Sequence, residues 1–234
     1  MPGLNRREAL TLLGGAAFLG ACGRGDDPPA AAPPSTPLGT VAPGSKVTVA
    51  SFANAGSCAV TPRQTEGPYY IDVDKIRADI REDREGTPLR VGVRVLDADG
   101  CTPVKDAVFE IWHCDAGGLY SGFEEAAGEA RFLRGAQVTD ADGIAVITTI
   151  FPGWYRGRTV HIHAKVVLSN DTELTTQLYF DDAVTTEALK AGPYAQRGDR
   201  DTDNSDDGFY RPETTLAMAK DGDGYLGLLT IGVG

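Results

Sequence analysis

The segment Arg90-Val91-Gly92-Val93-Arg94-Val95-Leu96 alternates with a period of two and stops at Asp97-Ala98-Asp99-Gly100. A strand turns successive side chains to opposite faces, so this pattern belongs to a half-buried strand closed by a turn. The same pattern recurs. Ala107 to His113, Ile144 to Ile150, Thr159 to Leu168, Thr175 to Phe180 and Tyr225 to Val233 read as strands, with a short one at Val47–Ala50. Asp140-Ala141-Asp142-Gly143 and Asp221-Gly222-Asp223-Gly224 supply further turns. Helix is expected only over Thr185 to Lys190 and in the region 74–83. Many short strands joined by Gly/Asp turns predict an all-β chain, an antiparallel β-sandwich with short helices and long loops. The Asp-x-Asp-Gly pieces invite a calcium reading, but none continues with the ligand spacing or distal Glu of an EF-hand loop, so they are read as turns.

The N-terminus follows other rules. Arg6-Arg7 precede an uncharged apolar run from Ala9 to Ala21 that is too short to span a bilayer. A charged start, a short apolar stretch and small residues describe an export signal over residues 1–21. The run ends Leu19-Gly20-Ala21-Cys22, the pattern of a bacterial lipoprotein cleavage box with Cys22 acylated; a plain secretory signal is the alternative. The paired arginines partly fit the twin-arginine route, without the usual aromatic after them. Residues 22–45 are rich in Pro, Ala, Gly and Ser and read as a disordered linker, leaving 46–234 as the folded domain. The expected location is thus outside the cytoplasm, held at the membrane only through lipidated Cys22. Of the remaining Cys58, Cys101 and Cys114, two could pair in an oxidising compartment, in any of three ways. A net charge of -11 repels phosphate backbones and argues against nucleic acid as a partner.

Chemistry concentrates in few residues. Two of the three histidines are His161 and His163, which a strand turns to the same face, within reach of one metal ion. Val160, Ile162 and Val166 mark that strand as well buried, where paired imidazoles need partners. Just upstream, a Pro152-Gly153 turn brings Tyr155 and Arg158 alongside. Trp112 to Gly122 ends a strand in a Gly-rich loop carrying Tyr120. Taken singly, each tyrosine is more often a packing residue with a bonded hydroxyl.

Together, five segments occur in the order of a known family: TEGPYY (65–70), DAVFEIWHCDAGGLYSG (106–122), FLRGAQVTDADG (132–143), TIFPGWYRGRTVHIH (149–163) and LTTQLYF (174–180). The chain resembles the intradiol ring-cleavage dioxygenases, which include the protocatechuate and catechol dioxygenases. The resemblance implies an Fe(III) centre held by Tyr120, Tyr155, His161 and His163. It also implies catalytic roles for Arg158, Tyr155 and Gln177, and a substrate wall at Gly67, Pro68 and Tyr69. Tyr155 is the tyrosinate expected to leave when substrate arrives. The activity implied is cleavage of catechol-type diols with O2 to cis,cis-muconate-type diacids. Phenolate is a hard donor that favours Fe(III) over Fe(II), which suits two tyrosines in the set.

Departures from the family are visible too. His113 stands where bacterial relatives commonly carry Gln, and is expected to be structural or to support the metal loop. Only five residues separate Tyr155 from His161, and no helical dimerisation segment like that of the catechol 1,2-dioxygenases precedes the domain, so a more open pocket is expected. A homodimer is included among the expected partners. The rival readings are a non-catalytic, envelope-anchored binding module of transthyretin-like or carbohydrate-binding type, and a copper or zinc site on the two histidines. Neither accounts for two tyrosines alongside two histidines.

Overall fold

A computed structural model describes residues 38–73, 75–123, 129–168 and 173–234. The expected export signal, Cys22 and the linker as far as residue 37 lie outside the described residues. Among the described residues nine strands are seen: β1 Gly39–Val41, β2 Pro88–Asp97, β3 Val108–Trp112, β4 Arg134–Val138, β5 Ile144–Ile150, β6 His161–Val167, β7 Glu173–Tyr179, β8 Ala217–Asp221 and β9 Gly224–Val233. They form a five-stranded sheet in the order β1-β8-β9-β2-β5 and a four-stranded sheet in the order β4-β3-β6-β7.

The sandwich expected from the alternation is present, with one change. The second sheet is antiparallel throughout, but β9 runs parallel to β2 and β1 parallel to β8. The closing strand thereby lies between β2 and β8 and is buried along its whole length. Its alternate residues serve two cores. Tyr225, Leu229, Ile231 and Val233 face the inter-sheet core with Val91, Val93, Phe109, Ile111, Ile162, Ala164 and Val166. Leu226 and Leu228 face outward, where Val47, Phe52 and Ala55 cover them. Full burial of each such side chain stabilises the fold by about 1.5–3 kcal/mol.

Three expectations change for local reasons. Val47–Ala50 is not a strand: Val49–Phe52 forms a 3₁₀ turn, in which the Thr48 N–H donates to Ser51 Oγ (3.1 Å) and the Ser51 N–H to Thr48 O (2.9 Å). The turn satisfies these groups without a sheet partner and presents Phe52 to the outer core. The described part of the region 74–83, residues 75–83, is not helical either. Its described residues bridge both sheets, Ile76 to Ala136 of β4 and Asp79 to Thr148 of β5, with Ile80 fully buried, and end in a turn where Glu82 takes φ +51°. This strap covers one edge strand of each sheet, a common means of protecting unpaired edges. Third, β1 lies within the stretch read as linker, and pairs with β8. Strands β4 and β8 were not foreseen.

The helix α1 spans Asp182–Ala188, starting three residues before the expected Thr185, because Asp181 Oδ1 accepts from the N–H groups of Ala183 and Val184 and caps it there. The Asp-rich turns are turns. At Asp140–Gly143 the Asp140 carboxylate accepts from the N–H groups of Asp142 and Ile144, and Gly143 takes φ +76°, where a Cβ would lie 2.4 Å from Val95 O. Among the three possible cysteine pairings the structure has Cys58–Cys101, leaving Cys114 free and buried.

The disulfide closes a loop with a sequence separation of 43. Converting both cysteines to Ser is expected to lower the unfolding free energy by about 2–4 kcal/mol, read by urea denaturation.

Candidate metal centre

The alternation of β6 builds the site. Ile162, Ala164 and Val166 turn into the core, so His161 and His163 turn to the outer face of the second sheet. Both are nevertheless buried, because loops cover this face. Their Nε2 atoms lie 3.2 Å apart. The His161 Nδ1 lies 2.7 Å from the Thr159 carbonyl oxygen, which can only accept. The proton therefore sits on Nδ1, and Nε2 presents a lone pair to the site. The Tyr155 hydroxyl lies 3.0 Å from His161 Nε2. The Tyr120 ring stands 5.9 Å from that of Tyr155 and 6.3 Å from that of His163. All four expected metal ligands thus gather at one place. Trp112 on the neighbouring β3 stacks on His163 at 5.2 Å and 7°.

Electrostatics fit a cation. Burial holds His161 down to about 3, with the Arg158 charge adding, and holds His163 well below its usual range. Burial also pushes Tyr155 up to about 12 and Tyr120 well above the ordinary phenol value. In the protein alone the four groups are neutral. Neutral imidazoles are ready ligands, and phenols held in this state ionise when a multivalent cation supplies the missing charge. The Tyr120 hydroxyl is buried with no well-aligned hydrogen-bond partner, although Tyr155 is near enough to perturb it. A buried orphan hydroxyl is costly, and a metal ion would satisfy it. Among the described residues, no group of three or more His, Cys, Asp or Glu could hold a metal ion. The converging donors are instead two phenols and two imidazoles.

Arg158 joins this centre from the β7 side. Its Nη1 lies 3.4 Å from His161 Nε2, and its Nη2 donates to Gln177 Oε1 (2.5 Å). Gln177 in turn donates to Thr65 O (3.0 Å). Asp207 had no signal in the sequence. Its buried carboxylate accepts from Arg158 Nε (2.8 Å), Thr159 N (2.9 Å) and Phe209 N (2.8 Å). It lies on a loop 49 residues beyond Arg158, without any local motif.

The segment 65–70 covers the histidines. Gly67 has φ +73°, and a Cβ there would come within 3.0 Å of His163 Cε1, so only glycine lets the backbone lie this close. Pro68 is exposed, and Tyr69 stacks on Tyr120 at 4.3 Å and 14°. Arg134, also unforeseen, ties the two segments together, donating to Tyr69 O (2.7 Å), Ser121 O (2.9 Å) and Ser121 Oγ (3.0 Å). His113 proves structural. Its ring nitrogens bond Cys114 O (2.8 Å) and Thr149 Oγ1 (2.7 Å), and burial holds it down to about 4. Beyond Trp112 on the same face, Glu110 accepts from the Tyr70 hydroxyl (3.2 Å). Burial pushes it up to about 7; Tyr70, Lys165 and Arg134 oppose the rise and Asp72 adds to it.

Two outcomes are expected. Asp207→Ala strands the Arg158 charge and should lower the unfolding free energy by about 3 kcal/mol in urea titrations, with Asp207→Asn losing less. Because the folded-state value of Glu110 lies above its unfolded value of 4.5, its contribution to stability is full below that pH and is lost as pH rises through about 7. Glu110→Gln should remove this part of the decline when unfolding is followed across the same range.

Comparison with known proteins agrees with the geometry. The family model described as "Dioxygenase" matches residues 65–196. An intradiol ring-cleavage dioxygenase from Tetranychus urticae superimposes with a TM-score of 0.71 at 33% identity, over 75% of this chain and 94% of that one. The dioxygenase domain of a dioxygenase–carbohydrate-binding fusion from Streptomyces sp. SirexAA-E gives a TM-score of 0.60 at 30% identity, over 74% and 97%. Catechol 1,2-dioxygenase 1 of Acinetobacter lwoffii is 34% identical over 50% of this chain and 45% of its own, so the chain spans about half the length of the curated relatives it matches. With the sandwich, the segment order and the two-tyrosine, two-histidine cluster all in agreement, the chain belongs to the intradiol ring-cleavage dioxygenase family.

Proposed function

We propose that this protein cleaves catechol-type diols with O2 between the two hydroxyl-bearing carbons, giving cis,cis-muconate-type diacids, with ferric iron held by Tyr120, Tyr155, His161 and His163. One observation carries the reading: two phenols and two neutral imidazoles converge in a buried place where the Tyr120 hydroxyl has no well-aligned hydrogen-bond partner. Bound there by Tyr120, Tyr155, His161 and His163, ferric iron would supply a Lewis acid for the diol, kept oxidised by the two phenolates.

The chain's own groups divide the remaining work. Tyr120 is closed in, whereas Tyr155 is partly exposed, so Tyr155 is the phenolate free to swing aside and take a proton from the incoming diol. Arg158, a permanent cation beside His161, faces negative charge developing on the substrate. Gln177 and Asp207 hold the guanidinium from two sides, which fixes its aim before substrate arrives. Tyr69 and Gly67 pack over Tyr120 and His163 and cover the site there. A binding module without catalysis would leave the Tyr120 hydroxyl unexplained.

We also propose that the protein works outside the cytoplasm, tethered through Cys22. The apolar run ending at Cys22 supports this, and the Cys58–Cys101 disulfide suits an oxidising compartment.

Purified, iron-loaded protein is expected to show a broad visible tyrosinate band that moves to longer wavelength when catechol is added without O2, and to form a ring-opened diacid when O2 is admitted. Tyr120→Phe and His163→Ala should each lose iron and colour. A colourless protein after iron loading would overturn the reading. For location, labelled fatty acid should enter the wild type and not Cys22→Ser; label absent from both would refute the tether.

A further inference from the structure

Eight phenylalanines occur in the chain. Phe18 lies outside the described residues; Phe52, Phe109, Phe132, Phe151 and Phe180 are buried. Phe123 and Phe209 are 43% and 48% exposed; Phe123 meets Tyr69, which stacks on Tyr120, and Phe209 meets Arg158, which lies beside His161. Single exposed apolar residues are ordinary. Two that are aromatic, and that stand on either side of one site, call for an explanation.

Their placement follows from the sheet order β4-β3-β6-β7. Phe123 follows Tyr120 on the loop joining β3 to β4 and meets Tyr69 edge-on at 5.3 Å and 79°. Phe209 lies on the other flank, by β7, where its carbonyl accepts from the Tyr179 hydroxyl (2.9 Å) and its N–H donates to Asp207 (2.8 Å). The histidine strand β6 runs between the two. Each ring is also braced by a cation: the Arg158 guanidinium lies 4.8 Å from the Phe209 centroid, and that of Arg134 5.4 Å from Phe123. Both rings are therefore set in place beforehand, which lowers the entropy lost when a ligand meets them.

On the reading that the centre binds diols, we propose that Phe123 and Phe209 form an aromatic rim that selects catechols carrying a second aromatic ring. The diol end sits among Tyr120, Tyr155, His161 and His163. The far edge of the ring points outward, and an aryl substituent there comes between two half-exposed rings. Edge-to-face and offset contacts with such rings favour an aryl group over hydrogen or a small alkyl group. The guanidinium against each ring draws electron density from it, which favours electron-rich aryl partners.

The test uses the full chain, iron-loaded and kept free of O2, titrated calorimetrically with catechol and with 4-phenylcatechol. Wild type is expected to bind 4-phenylcatechol about tenfold more tightly than catechol. Phe209→Ala and Phe123→Ala should each reduce that ratio about threefold, and the double variant should abolish it. Phe209→Leu and Phe123→Leu keep the apolar cover and guard against loss of the fold; they should retain part of the preference. Equal affinities in wild type would overturn the rim. So would an equal weakening of both ligands in Phe209→Ala, which would make Phe209 only a cover over the Arg158–Asp207 pair. Absence of any visible-band shift with either diol would overturn the diol-binding centre and the rim with it, whereas equal affinities with the shift present would overturn the rim alone.

Discussion

The two-residue alternation of β6 is the constraint on which the rest of the structure depends. One face of this strand holds Ile162, Ala164 and Val166 in the inter-sheet core, and the other holds His161, His163 and Lys165. The core half pins the register, since a slip of one residue would carry imidazoles into the hydrophobic interior and Ile162 out of it. Folding energy from the sandwich thus fixes the spacing of the two imidazoles without any contribution from a ligand.

A histidine pair on an outer sheet face would ordinarily be wet. Here four separate segments close over it: 65–70, the loop after β3, the turn carrying Tyr155 and the loop carrying Asp207. Each is tied by a specific interaction. Gly67 lies against His163, Arg134 joins the Tyr69 and Tyr120 segments, and Asp207 binds Arg158 and the Thr159 N–H. The resulting burial keeps the imidazoles neutral and the phenols protonated, so the place is poised for a multivalent cation. The same ties make Arg158 both part of a buried ion pair and a neighbour of His161. Its structural role and the chemical one proposed for it rest on one arrangement.

Much of this was legible in the sequence. Period-two runs located β2, β3, β5, β6, β7 and β9 to within two residues, because sandwich strands need alternate faces buried. The clustering of Tyr120, Tyr155, His161 and His163, with Arg158 and Gln177 beside them, was legible because these residues sit in local motifs that keep their order along the chain. Strand β4 was missed because Arg134-Gly135-Ala136-Gln137-Val138 carries a buried arginine that ties loops, which breaks the apolar pattern. The strap around Ile80 passed for helix because its backbone partners belong to two distant sheet edges. Asp207 and the Cys58–Cys101 pairing depend on contacts remote in sequence, for which no local signal exists.

The sequence by itself determined the class of fold, the donor types and the two-residue spacing of the histidines, since these follow from side-chain chemistry and the geometry of a strand. Tertiary structure decided the parallel insertion of β9, the burial of the Tyr120 hydroxyl, the partnership of Arg158 with Asp207, and the flanking positions of Phe123 and Phe209. Those features depend on which loops meet over the outer face of the second sheet. That is set by packing among segments far apart in the chain, where periodicity and propensity carry no information.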